Sequence, residues 1–345
     1  MIGRAYVANA GITNNVSVID TQTNTNISNI PVGNSPRQIA ITPDEKLAYV
    51  ANFSSTTVSV IDIQTNTKIT DIVTGSTPKH IAITPDGKRA YVANLGPSTV
   101  SVIDILTNTK ISDITVGTSP FHIAITPDGK RAYVANVGST TVSVIDIQTN
   151  TKIIDITVGS NPAHIAITPE GKRAYVINNG SANVSVIDIQ NNTKITDITV
   201  GNTPIYAAIT PDGKRAYVAN FLTTFVSVID IQTNTKITDI TVGNNPLHIA
   251  ITSDGKRAYV VNRGAGSNSV SVIDILTNTN IKTIGVGVTP FHVAIEPDGK
   301  RAYVADDGSA SVTVIDIQTN TNIQTIAVGN NPQHIATRFQ KNGEL

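Results

Sequence analysis

The six histidines of this chain stand at His80, His122, His164, His248, His292 and His334. The steps between them are 42 residues, or 84 and 44, so all six hold one position of a repeat, and the two other copies carry Gln38 and Tyr206 there. Imidazole suits zinc, copper, nickel and iron, which makes these six the candidate ligands of a transition metal or an anion. The competing reading is a niche copied by duplication, each ring stacked on the neighbouring blade with one nitrogen bonded to a backbone carbonyl. No Asp or Glu stands regularly beside the histidines as a base, which weakens a hydrolase or lyase reading. Other chemistry is thin. Serines lie in "SVID" runs without a nucleophile elbow, and glycines lie in turns and connections, with no phosphate loop. The absence of cysteine removes thiol catalysis and disulfides. "DIQTNTK" has oxygen ligands but not calcium-loop spacing, and reads as an Asx turn.

What positions the histidines is the repeat itself. Its tyrosine recurs at Tyr6, Tyr49, Tyr91, Tyr133, Tyr175, Tyr217, Tyr259 and Tyr303, a step of 42 with one extra residue early and two in the seventh copy. Each copy holds four β-branched runs of strand length. "HIAIT" leads through "PDGK", with Pro to start the turn and Gly to take positive φ, into "RAYVAN". A small-residue loop, "TVSVID", the turn "QTNT" and "KITDITV" follow. Four antiparallel strands at a period near 40 predict a β-propeller blade. Thr/Val/Ile bias and frequent turns exclude a helical solenoid.

The ends predict how the ring closes. The chain starts on the second strand type and finishes on the first, so residues 3–32 plus 332–338 make blade 1 from both termini. The fold class expected is all-β, an eight-bladed propeller of four-stranded blades, occupying residues 1–345 as a single domain. "AYVAN…TVSVID…TNTKITDITVG…P.HIAITPDGKR" resembles the YVTN β-propeller repeat family, with Ala for the Thr of the name. That resemblance covers all eight copies. It implies a cell-surface or surface-layer protein, hence an extracellular or surface location, and related propellers that hold cofactors or metals. No signal peptide is visible in "MIGRAYVANA".

In such a disc the first strand of each blade lines the channel and the turns alternate between two faces. One face carries the charged "PDGK" and "QTNT" turns. The other is nearly neutral: of fifty charged side chains only Arg37, Lys79, Arg263, Asp306 and Asp307 fall in its loops. Copies diverge on that neutral face, just before the channel strand and after "AYVAN". Blade 6 turns apolar there, with Ile205, Tyr206, Phe221, Leu222 and Phe225, and Phe121 and Phe291 mark the mouth two blades away on either side. Large apolar groups exposed together mark a contact site more often than chance. These seven are the candidate ligand- or partner-binding residues, for a protein or a small neutral ligand. The reading expected is therefore a non-enzymatic binding or cell-surface scaffold, a monomer without a resident cofactor. The alternative is a metal- or cofactor-dependent enzyme, of lyase, hydrolase or redox type, using the channel histidines. A net charge of zero gives no case for nucleic acid, and no run of 18 apolar residues predicts membrane insertion.

Overall fold

The computed structural model describes residues 2–340. Each repeat folds as four antiparallel strands; in blade 2 these are Pro36–Ile41, Leu47–Asn52, Thr57–Asp62 and Thr67–Val73, paired in that order from the channel outward. Eight such sheets form, and no helix is present among the described residues. The turn chemistry is that of the sequence. Gly87 takes φ +69°, its N–H donates to Thr84 O at 2.8 Å, and Thr84 Oγ1 donates to Asp86 Oδ1 at 2.6 Å. At the second turn Asp62 Oδ1 accepts from the Thr65 N–H at 2.8 Å, and Asn66 supplies the left-handed residue at φ 55°.

Closure follows from the same pairing. Ile2–Asn9 is flanked by Asn15–Asp20 on one side and by Pro332–Gln340 on the other, with Val7 opposite Ile335. Ile335 is buried, so the C-terminal strand brings a core side chain as well as a ladder. Closure covers the edge of Ile2–Asn9 that would otherwise be open for another chain to pair with.

The core is divided into eight clusters, each shared by two adjacent blades. The repeated tyrosine ties each junction: Tyr91, buried in blade 3, donates its hydroxyl to Asn150 Oδ1 of blade 4 at 2.6 Å. Within the clusters, changes between copies cancel. Ala93 faces the same core as Ile123, and Ala135 the same core as Ile165. Between blades 5 and 6 the pair is reversed to Ile177 and Ala207, and between blades 7 and 8 it is Val261 and Val293. Interiors are packed densely enough that one methylene is felt, and volume-conserving swaps are those that cores accept.

One feature at the channel mouth is absent from the sequence reading. Every inner strand begins with a β-bulge. In blade 3, Pro78 pairs with Asn94 and His80 with Ala93, leaving Lys79 as the extra residue. The same shift recurs in the other seven blades. A bulge takes a side chain out of the alternation of the ladder and re-aims it. Four residues are placed differently from expectation. Arg37 and Lys79 are bulge residues of inner strands rather than loop residues. Phe225 is the first residue of the strand Phe225–Asp230. Asp306 ends the strand Arg301–Asp306 and is fully buried, where other blades carry Asn.

Candidate functional site at the channel mouth

The repeat position of the histidines forms a continuous stack around the channel. Ring centroids are 4.1 Å apart for His80–His122, 4.2 Å for His122–His164, 4.1 Å for His164–Tyr206 and Tyr206–His248, 3.9 Å for His248–His292 and 4.2 Å for His292–His334. Gln38 fills the eighth place. Tyr206 is thus one member of the stack, tilted about equally against both neighbours.

The polar atoms of this layer serve the backbone. The Ile123 N–H donates to His80 Nδ1 at 3.4 Å, the Ile165 N–H to His122 Nδ1 at 3.4 Å, and the Ile81 N–H to Gln38 Oε1 at 3.0 Å. Gln38, His80, His122 and His292 therefore accept from the next blade's inner strand, whereas a bond to a backbone carbonyl was expected, and Nδ1 of His164, His248 and His334 is buried without a partner among the described residues. Nδ1 must be unprotonated to accept, and the surroundings keep the rings neutral: burial and then the charge of Lys79 pull His334 down to about 4, and burial and then His334 pull His248 down to about 3. The other four also lie well below the usual range, with burial the largest cause. Loss of metal affinity through protonation near pH 6.5, the value for free imidazole, is displaced to much lower pH. Among the described residues no group of three or more His, Asp or Glu is arranged to hold a metal ion. Eight steps of 4.1 Å put opposite rings about 11 Å apart, where two zinc–nitrogen bonds would span about 4 Å.

On the neutral-face side of this stack lie the bulge residues: Arg37, Lys79, Phe121, Ala163, Ile205, Leu247, Phe291 and Gln333. They divide into two arcs. Blades 7, 8, 1, 2 and 3 form a polar one. Arg263 Nη2 donates to Asp307 Oδ2 at 2.8 Å, Gln333 Nε2 to Asp307 Oδ1 at 2.6 Å, and Arg37 Nη1 to Gln333 Oε1 at 2.9 Å. Aromatic faces carry the cations: Arg263 lies 4.9 Å from the Phe291 centroid, and Arg37 5.1 Å from that of Phe53. Lys79 stands between two rings, 5.7 Å from Phe53 and 4.6 Å from Phe121. Burial, and then the charge of Arg37, pull the Lys79 ammonium down to about 8.

The second arc, blades 4 to 7, is apolar: Phe121, Ala163, Ile205 and Leu247. Ile205 and Tyr206 rest on the core between blades 6 and 7. Leu222 is 63% exposed, and Phe221 is half-buried beside it in sequence. Phe225 turns another way. Its Cε2 lies where a Cβ on Gly201 would stand, 2.7 Å off, so it covers the connection that enters blade 6. Its replacement of a hydroxyl residue alters one bond: Asn52 Nδ2 donates to Thr57 Oγ1, while Asn220 Nδ2 donates to the Phe225 carbonyl.

Phe53, which lies against Arg37 and Lys79, is a mouth residue the sequence reading missed. Comparing the residue after "AYVAN" among copies (Ala10, Phe53, Leu95, Val137, Asn179, Phe221, Arg263, Asp307) finds it together with Phe221. Asp306 is not part of the mouth surface. Across blade 2, Asn52 Nδ2 donates to Ser59 Oγ and Ser59 Oγ to Asp71 Oδ1. In blade 8 the direction is opposite, with Thr313 Oγ1 donating to Asp306 Oδ2 at 2.7 Å, and burial pushes the Asp306 carboxyl up to about 7.

Fold and mouth together define an eight-bladed β-propeller whose variable side chains are gathered on bulges at one channel mouth. Residues 74–158, 149–242 and 235–333 each match the family described as "Lactonase, 7-bladed beta-propeller", and the chain belongs to that family. Its own ring has eight sheets. Among solved structures, hydrazine synthase of Kuenenia stuttgartiensis is similar at 28% identity, covering 81% of this chain and 95% of that one, with a TM-score of 0.67. The dihydro-heme d1 dehydrogenase NirN, in complex with DHE, shares the fold at 16% identity, covering 96% and 74%, with a TM-score of 0.83. Apo AztD of Citrobacter koseri does so at 15% identity, covering 97% of each chain, with a TM-score of 0.75. No curated protein matches the chain.

Proposed function

We propose that this protein is a non-enzymatic binding propeller that seats a small ligand with an apolar body across its channel mouth, at the cell surface where the YVTN-like repeat would place it. The observation that carries the reading is the bulge ring. Eight side chains at one repeat position are freed from the ladder, and they are sorted into an apolar and a polar arc. A small molecule fits this surface better than a protein. The stacked rings beneath enclose a disc of roughly 100 Å², against about 800 Å² per partner for a stable protein interface. Concave, mostly apolar sites with a few placed polar groups are the usual form of small-ligand sites.

The test uses a neutral probe, 2-naphthamide, with calorimetry on the parent and on a variant carrying Ile205→Ala, Phe221→Gly and Leu222→Ser. The reading expects at least a tenfold loss of affinity in the variant, measured at a temperature where both proteins remain folded. Equal binding by both proteins would overturn the apolar arc as the seat. Capture of a protein by the same arc would overturn the small-ligand choice.

Family membership favours a second reading, catalysis at the channel by the imidazoles with or without a metal. Its support is the name of the family and the nitrogen-rich layer. Hydrolysis of simple lactones, assayed with and without added zinc, decides it: turnover lost on changing His80, His122 and His164 to Gln would replace the binding reading.

A further inference from the structure

The polar arc carries three cations, Arg37, Lys79 and Arg263, and one carboxylate on its surface, Asp307. That carboxylate is already taken, held by Arg263 at 2.8 Å and by Gln333 at 2.6 Å. Arg37 spends one donor on the neutral oxygen of Gln333. Lys79 has no hydrogen bond or ion pair among the described residues; it has only the faces of Phe53 and Phe121. An ammonium half-removed from water is costly unless it is paired, and two aromatic faces supply part of what a partner would. Seven sister blades place Arg, Phe, Ala, Ile, Leu, Phe or Gln on the same bulge, so packing does not demand a lysine there.

We propose that Lys79, with Arg37 beside it, is the seat for the carboxylate of an amphipathic small molecule whose apolar body lies along Phe121, Ala163 and Ile205. The inference rests on the mouth being the binding site and names the chemistry of what it binds. Charge and geometry agree. The arc has two positive charges beyond its one carboxylate, and Phe121 belongs to both arcs, touching Lys79 on one side and opening the apolar run on the other. The seat is also held against the stability of the free protein. Burial and the charge of Arg37 both disfavour the charged form of Lys79, so the cation is maintained at a cost that a ligand relieves.

The experiment compares 2-naphthoate with its neutral counterpart 2-naphthamide by calorimetry at low and high salt, for the parent, Lys79→Met and Lys79→Gln. The parent should bind the carboxylate at least tenfold more tightly, with the preference shrinking in salt. Both variants should lose the preference, keep the parent's affinity for the amide, and melt at the same temperature or higher. A lysine serving structure would lower the melting temperature when removed. Equal affinity of the parent for the two probes, or a preference that survives in both variants, would overturn the anion seat and leave the mouth reading standing. Failure of the parent to bind either probe would overturn both.

Discussion

The cores between blades and the ring at the channel mouth were copied from the same repeat, yet they vary by different rules. In the cores a change is answered. Ile177 replaces an alanine where Ala207 replaces an isoleucine, and Val261 meets Val293 where other junctions pair Ala with Ile. At the mouth volume is not answered: Arg37, Lys79, Phe121, Ala163 and Ile205 follow one another on five successive blades with no shared size or charge, and it is polar groups such as Arg263, Asp307 and Gln333 that meet one another. Compensation is the mark of a packing constraint, since an unfilled or overfilled core costs stability directly. Its absence at the mouth means that packing does not select those residues. Sorting into two arcs is then the property that a bound ligand would use.

The largest effect tests whether the ring of cores is one cooperative object. Removing residues from Pro332 onward takes away the inner strand of blade 1 and Ile335 from the core between blades 8 and 1. A buried isoleucine alone is worth roughly 1.5–3 kcal/mol, and a whole ladder goes with it. The truncated chain should lose cooperative melting at ordinary temperature. An unchanged melting curve would break the closure and, with it, the premise that eight junctions share one stability.

Acid gives the next effect, because the histidine stack lies between the two regions. The native histidines are held neutral, with His334 near 4 and His248 near 3, while an unfolded histidine titrates near 6.5. Between those values the unfolded chain binds more protons, so stability is present above about pH 6.5 and falls as pH drops toward 4. Melting from pH 7.5 to 4 should show that fall, and His80→Gln, His122→Gln and His164→Gln together should flatten it. A variant with the parent's pH slope would mean that the stack is not the source.

Compensation itself can be broken and restored. Ile177→Ala should cost about 2–5 kcal/mol by leaving a cavity, and Ala207→Ile about 1–3 kcal/mol by overfilling the same core. The double change re-creates the pair found at six other junctions and should lie within about 1 kcal/mol of the parent, a coupling that additive effects cannot produce. Urea midpoints of the four proteins check this. Additive losses would erase the distinction drawn between core and mouth.

How far each region could be read from sequence follows from the same contrast. Period, turn residues and the offset of the two ends were enough for blades and closure, because Pro, Gly and Asp at fixed offsets force local geometry whatever the tertiary context. The bulge left no such mark. One extra residue before His80 changes no composition, and only the pairing of Pro78 with Asn94 reveals it. The stacked imidazoles depend on spacing between blades, which no single repeat encodes. Lys79 was legible as a rare charge on the neutral face, but its two aromatic neighbours come from different blades. Asp306 misled for a simpler reason: it reads as a loop charge and is a buried stand-in for Asn.

The most direct test of the account is a crystal structure of the protein with 2-naphthoate. The rings should lie over Phe121, Ala163 and Ile205 with the carboxylate within hydrogen-bonding distance of Lys79 Nζ, and the core between blades 5 and 6 should be unmoved. Occupancy only in the interblade cleft lined by Thr21, Glu296 and Arg301, or a mouth left empty under saturating ligand, would contradict it.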